Sequence, residues 1–561
     1  MERTKAQESR AAIERLYITM RHLFNRGYYK PSGESGKAII NALLTLSPEI
    51  YGSMAEAEKV ELEGLVYAID RLPKGIEECR FITLTSDEGL RNASFEVITP
   101  SKRRRNCFRI DEEQMFIEVT RGRSEIYDIL AHLTFLFVEA RKIKEKALDA
   151  KGEKTREWLK IEEIVKGGKP EDELHDKEIA FTYLGTVLAR TYDEVEKAYA
   201  RFQESTGQNS GLFHVIYWLG KLAIEEESLG RDRKINFSPS LRERIGHHIY
   251  GERWAANIKS SLISHKLFDR PLHIISANLH SVMNSLYAVG ALGKKYKDIP
   301  LEEIAVTLSK RENGHLREKV EDYAKRHGLV TLSDPFGTNI GVQIIDTSKL
   351  NLAQLPKELS FDKEYLQQES PVIFVMDYAF GEQAFETMDE LLKPHRTDTA
   401  TLHLNARSIA VMGKAGILTG NKGDIMLPTA HIFEGTSDNY PFNNDLDPED
   451  FKGRGLEVME GTMLTVLGTS LQNKDVLRYF RNSSWNTVGL EMEGAHYQKA
   501  IQAAAKIRHS ISPDVALRYA YYASDNPLMT GHSLASGSLG VIGVRPTYLI
   551  TVNFLNKILN Q

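Results

Sequence analysis

Hydrophobic positions follow two regimes along this chain. Over roughly the first 250 residues they recur three and four apart, the spacing of one helix face. Leu62, Leu65, Val66 and Ile69 follow Ser53-Met54-Ala55-Glu56, a capping-box pattern. Val195, Ala198 and Phe202 follow a second box, Thr191-Tyr192-Asp193-Glu194. Phe81–Leu84 and Met115–Val119 interrupt this pattern as strands. Residues 141–180, dense in Lys and Glu around Gly167-Gly168 and Pro170, read as exposed helix and then loop. The expectation is a helix-rich domain over 1–250, with no role assigned to it.

Beyond residue 250 apolar runs become short and continuous. Pro271–Ser276 reads as a buried strand, with Asn278, His280 and Asn284 at the helix start that follows. Asp334-Pro335-Phe336-Gly337 is a turn signal and Gly341–Ile345 a strand. These predict a small α/β unit over 251–350, then a polar linker over 351–371 containing Pro356 and Pro371. From Val372 strands and helices alternate: Val372–Met376, Ser408–Met412, Asp424–Leu427, Thr462–Leu467, Thr487–Leu490 and Leu517–Tyr522 are strands. One helix follows Glu493 and a last one spans Thr551–Leu559. Apolar runs without alternation belong to strands buried on both faces. Residues 372–561 are therefore expected to form an α/β domain, a central mixed, largely parallel sheet flanked by helices.

Composition narrows the class. A chain of 561 residues is too long for one ordinary core. A formal charge of −5 gives no general attraction to nucleic acid or to an anionic membrane. No run approaches the length of apolar residues that a membrane helix needs, and the charged N-terminus lacks the apolar stretch of a signal peptide. Cys79 and Cys107 are the only cysteines, which excludes a disulfide framework and suits the cytoplasm. The basic run Ser101-Lys102-Arg103-Arg104-Arg105-Asn106 reads as a solvated loop. Gly537-Ser538-Leu539-Gly540 and Gly543 lack dinucleotide-binding spacing, and His273, His280 and Asn284 have no companion ligands that would make a metal site. No metal or organic cofactor is expected.

The chemistry concentrates at two strand tips. Val488-Gly489-Leu490-Glu491-Met492-Glu493-Gly494-Ala495 is an apolar strand that ends in carboxylates and runs into a helix. Val515–Ala523 is another, ending in Ser524-Asp525-Asn526-Pro527. Ligands of parallel α/β sheets bind at such tips. Two carboxylates of different role suit cleavage of a bond to a sugar carbon: one holds ribose hydroxyls, the other protonates the leaving group.

These residues resemble the nucleoside phosphorylase and nucleosidase superfamily, whose Glu-Met-Glu-(Ala/Gly)-Ala segment is matched by Glu491–Ala495 and whose Ser-Asp pair by Ser524-Asp525. Val411-Met412-Gly413-Lys414-Ala415-Gly416-Ile417-Leu418, with Gly423-Asp424-Ile425, is similar to its glycine-rich segment and the strand that follows. The run Ser524-Asp525-Asn526-Pro527-Leu528 with Gly531 is similar to the AMP nucleosidase branch. The three matches keep the family's order over roughly residues 370–561.

The resemblance implies a purine nucleosidase that acts on a nucleotide or nucleoside, AMP first, as a homo-oligomer. It implies Asp525 as the acid that protonates N7, beside Ser524, and Glu493 as the ribose ligand, with Met492 as an apolar wall. Glu491, in strand alternation, points the other way. Gly413, Lys414 and Gly416 read as an anion-binding loop, with lysine where many relatives have serine. Glu382, with Asp377 as rival, is the candidate base that activates water. His431 reads as structural, Asp424 as a turn or subunit contact, and Leu471 as a guess for the purine's apolar partner. A phosphorylase using inorganic phosphate, and a nucleotide sensor without turnover, stay open as alternatives. Ordinary explanations compete at each position: a turn cap for Asp525, a helix-end carboxylate for Glu493, a surface lysine for Lys414.

Overall fold

A computed structural model describes residues 3–86, 88–103, 105–168, 177–436, 438–529 and 539–560. Pro170, Arg104, Gly531, Gly537 and Ser538 of the sequence reading lie outside these. The chain divides into two compact units, Met1–His247 with Ser470–Val476, and His248–Thr469 with Leu477–Gln561.

The first unit is rich in helix around a sheet of six strands. These are β1 (Tyr28–Tyr29), β2 (Phe81–Thr85), β3 (Val97–Ile98), β4 (Cys107–Arg109), β5 (Gln114–Glu118) and β6 (Lys234–Phe237), in the order β1-β6-β2-β5-β4-β3. The box at Thr191 caps the helix Tyr192–Glu204 with both of its reciprocal bonds. The expected box at Ser53 does not. The helix Leu62–Ile69 starts instead at Glu61, whose Oε1 accepts from the N–H groups of Glu63 (3.0 Å) and Gly64 (3.2 Å). Ser53 gives its own N–H (2.7 Å) and hydroxyl (2.6 Å) to Glu61 Oε2, so one buried carboxylate takes the donors of both segments.

The basic run is not a solvated loop. Arg103 grips Asp128 with Nε and Nη2 (3.0 and 3.1 Å), and Arg105 reaches Asp128 (3.1 Å) and Glu125 (3.2 Å). Both carboxylates sit on the helix Gly122–Ala147, most of whose residues are buried. A buried charge requires a partner, so acids inside the unit draw the arginines in. Burial alone would raise the Asp128 carboxyl, but Arg103, His132 and Arg105 hold it well below the usual carboxylate range.

The second unit carries a sheet of ten strands. It contains β7 (Leu272–Ser276), β8 (Leu329–Leu332), β9 (Val342–Asp346) and β10 (Val372–Met376), while β11 (His395–Arg396) and β12 (Thr401–Leu402) form a separate hairpin. Its other strands are β13 (Ala406–Ile417), β14 (Ile425–Phe433), β15 (Asn439–Pro441), β16 (Val458–Thr465), β17 (Thr487–Glu491) and β18 (Ala516–Asp525). Strands from 251–350 and from 372–561 therefore share one sheet: β7 lies between β10 and β13, parallel to both. The sheet is mixed, and its longest ladders, β13 with β18 and β14 with β16, are parallel.

The continuous apolar runs are explained by burial on both faces. Phe374 and Met376 enter one core, with Trp254, Met388 and Ile501 from helices on that side. Ile373 and Val375 enter the other, with Leu286, Val320 and Phe554. Helices thus cover both faces. Beyond β13 the sheet closes on itself. β13 pairs β18, β18 pairs β14, β14 pairs β16, β16 pairs β17, and β17 returns to β13 through Gly416↔Leu490 and Ile417↔Gly489. Among the described residues no helix is long and apolar enough to cross a membrane.

Candidate active site

The ring closure brings two strand tips beside one residue. Gly416 of β13 pairs with Leu490 of β17 on one side and with Asp525 of β18 on the other. Glu491-Met492-Glu493 and Ser524-Asp525 therefore leave the sheet as neighbours of the same short piece of β13. A register shift between Ala415 and Gly416 sets Ser524 out of the ladder. Its hydroxyl lies 3.0 Å from the Ala415 carbonyl oxygen and 2.5 Å from Asp525 Oδ1. One hydroxyl proton serves one acceptor at a time. With Asp525 ionised the proton goes to the carboxylate. With Asp525 protonated it can go to Ala415, and the pair suits either state. Asp525 is fully buried.

The two glutamates have different work. Glu491 is committed internally: Oε1 accepts from the Thr465 hydroxyl (2.5 Å), and Oε2 accepts from the N–H groups of Glu493 and Gly494. It thus caps the helix Gly494–Gln502, a position that favours a carboxylate. Glu493 is partly buried; its Oε1 accepts from the Gly381 N–H at 2.8 Å and its Oε2 from the Met492 N–H at 3.3 Å. Gly381 has φ +55°, the left-handed region that glycine enters without strain. It ends the turn after β10 and precedes Glu382, so that turn and the carboxylate of Glu493 are tied together. Glu382 is partly buried, and its charge reaches His496 on the helix that Glu493 opens. Asp377 spends Oδ1 on the N–H of Tyr378 (2.9 Å).

Gly413, Lys414 and Gly416 do not form a loop. They lie inside the long strand β13, because β18 pairs it from Ser408 to Gly416 and β17 pairs at its end. Lys414 is exposed, in register with Tyr522, while Ala415 and Gly416 on either side of the bulge are buried. Met492 is buried. Asp424 fixes a turn: Oδ2 accepts from Asn421 and Oδ1 from Glu457. His273 is buried against Ser408 (2.8 Å), Asn284 bonds Tyr548 (2.8 Å) and His280 is exposed, so the three hold separate places. Leu471 is buried in the segment assigned to the first unit.

Sequence reasoning read His431 as structural but missed its partners in the layer beneath the glutamates. His431 Nε2 and the Tyr521 hydroxyl are 3.0 Å apart, and the imidazole stacks on Phe442. A Cβ at position 494 would stand 2.2 Å from the His431 ring and 2.7 Å from the Tyr521 hydroxyl, so glycine is the residue that lets this pair fill the space under the turn. Burial holds His431 neutral, its pKa shifted down to about 3. The only signal in the sequence was the glycine itself.

Burial raises the Glu491 carboxyl, and burial together with Glu491 raises that of Glu493, to about 8. The sign for stability follows. The folded carboxyl of Glu493 binds its proton more tightly than the unfolded one, whose ordinary value is 4.5. Its contribution is therefore fully present below about pH 4.5 and is lost as pH rises through about 8. In Glu493→Gln, stability followed by chemical denaturation should fall less steeply across that window than in the parent. Equal slopes would mean that Glu493 is not raised.

In a comparison with solved structures the chain is similar to 5′-methylthioadenosine/S-adenosyl homocysteine nucleosidase of Campylobacter jejuni, with 11% identity and a TM-score of 0.29 over 52% of this chain and 98% of that one. It is similar to futalosine hydrolase of Helicobacter pylori strain 26695, at 11% identity and a TM-score of 0.31 over 52% and 98%. It is also similar to isoform 2 of uridine phosphorylase from Schistosoma mansoni, at 11% identity and a TM-score of 0.30 over 51% and 87%. No curated protein matches the chain in sequence. Over residues 37–297 and 306–560 it matches a family of unknown function, DUF6909, and the chain belongs to that family.

Proposed function

We propose that the second unit hydrolyses the N-glycosidic bond of a purine ribonucleotide or nucleoside, with AMP as the first substrate to try. The observation that carries this is the register at Gly416, which sets the Asp525 tip and the Glu491–Glu493 turn on opposite sides of one residue of β13. Cleavage passes through a ribosyl cation, and the purine leaves easily only when N7 is protonated. Asp525, buried and held through Ser524, donates that proton. Glu493 accepts from the ribose hydroxyls, and its ionised form, which grows as pH rises through about 8, faces the positive charge that develops on the anomeric carbon. Met492 walls the sugar, and Gly413, Lys414 and Gly416 lie toward the phosphate. Glu382, on the turn that anchors Glu493, takes a proton from water as the water attacks.

The full chain should be incubated with AMP, adenosine, inosine and methylthioadenosine, with and without inorganic phosphate, and the products separated by chromatography. Free base with ribose 5-phosphate from AMP, independent of added phosphate, is the expected result. Ribose 1-phosphate, formed only with added phosphate, would replace hydrolysis by phosphorolysis. No turnover of any of the four substrates would overturn the enzymatic reading and leave a nucleotide-binding module.

A further inference from the structure

We propose that the first unit binds a divalent cation of the zinc class through Glu77, Glu78 and His214. The three donor atoms, two carboxylate oxygens and an imidazole nitrogen, lie within 4.8 Å of one another. His214 Nε2 is 2.7 Å from Glu78 Oε1 and 3.9 Å from Glu77 Oε1. Two ligands each about 2.1 Å from a shared zinc stand roughly 3–4 Å apart, so the spacing brackets what the ion needs.

The decisive atom is Glu77 Oε1. The residue is 2% exposed, and this oxygen has no hydrogen-bond donor among the described residues. A buried carboxylate oxygen without a donor is costly. It lies toward the same imidazole nitrogen that meets Glu78.

Outer partners hold both carboxylates by groups other than the cluster. Ser210 bonds the Glu77 side chain. Arg109 Nη2 bonds Glu78 Oε2 at 2.8 Å, and the guanidinium is itself pinned by the carbonyls of Gly75 (3.1 Å) and Asp111 (2.6 Å). In metal sites, second partners of this kind fix the ligand oxygens that face the ion. With Arg109 included, the cluster carries a formal charge of about −1 when both glutamates are ionised, which a divalent cation reverses rather than opposes. A nitrogen with two carboxylate oxygens suits zinc or manganese, and the absence of thiolate disfavours the softest ions. Cys79 is adjacent, but its thiol bonds the Gly75 carbonyl, and burial pushes it up to about 12.

To ligate, the neutral His214 ring carries its proton on Nδ1 and offers Nε2. The ion would then join the segment Ile76–Glu78 to the helix Leu212–Leu229 within this unit.

The test uses the full chain, stripped with chelator, dialysed and titrated with zinc chloride and separately with manganese chloride. Bound metal is measured by elemental analysis, affinity by calorimetry. The parent should bind one equivalent of zinc or manganese more than Glu77→Gln and His214→Gln, or bind it at least tenfold more tightly, with a metal-dependent rise in melting temperature that the variants lack. Circular dichroism of each variant without metal checks its folding, and both variants keep side-chain hydrogen-bonding capacity. Equal stoichiometry and affinity in parent and folded variants, or no binding of either metal by the parent, would overturn the proposal.

Discussion

Asp525→Asn should lower turnover of the best purine substrate by on the order of 10²–10⁴-fold, the usual contribution of a positioned general acid, while binding of that substrate stays within a few-fold of the parent. The asparagine keeps the shape of the side chain. Its carbonyl oxygen can still accept from Ser524, which stands 2.5 Å from Asp525 Oδ1. The site is fully buried, so a change of size would disturb packing, but this change is isosteric. What is lost is the carboxylic proton and the negative charge left after it is given. A second substrate separates that loss from general damage. A nitrophenyl riboside leaves as a stable anion and needs no proton on its leaving group, so the variant should keep far more of its activity toward it than toward a purine. An equal loss on both substrates would assign Asp525 to structure. A loss below tenfold on the purine would remove it as the acid.

The elements that the sequence made legible are those in which local pattern and burial agree. Val372–Met376 is apolar at every position because Phe374 faces one core and Ile373 and Val375 the other. Thr191 caps its helix because the glutamate three residues on is free to answer it. Ser53 carries the same pattern and fails, because Glu61, eight residues on, collects its donors. Nothing local announces that competitor. The glycines at 413 and 416 suggested a loop by composition, yet pairing of both with β18, and of Gly416 with β17 as well, makes the segment a strand. The ladders that close the ring, β13 with β17 and β14 with β18, are only two residue pairs each, too short to leave any periodicity. The site was legible as motifs and not as geometry: Glu491, Glu493 and Asp525 could be named, but their common neighbour Gly416 and the anchor Gly381 depend on long-range pairing. The basic run erred for the same reason. Arg103 and Arg105 look solvated until the acids on a helix some twenty residues later are placed beneath them.

Those arginines carry a large expected effect on stability. Asp128→Ala should destabilise the first unit by about 3–5 kcal/mol, the cost of breaking a buried ion pair from one side. Asp128 accepts from Arg103 twice and from Arg105 once, and His132 Nε2 stands 3.3 Å from its Oδ1. Truncation removes the two-point partner of Arg103 and leaves Arg105 with Glu125, beside Arg71, whose pKa is lowered by burial and further by the Arg103 charge. Arg71 and Arg105 are both under 9% exposed, so water takes up little of the difference. Surface ion pairs contribute far less and weaken with salt; this one should resist added salt. Hydrogen exchange along Gly122–Ala147 is the suitable measure, because it reads one helix of a chain with two compact units and needs no single unfolding transition. The companion Arg103→Met should restore part of the loss in the double variant, since it removes one stranded charge together with its partner. A loss below about 1 kcal/mol, or a double variant weaker than the sum of its parts, would show that the network is solvated and that the acids do not hold this unit together.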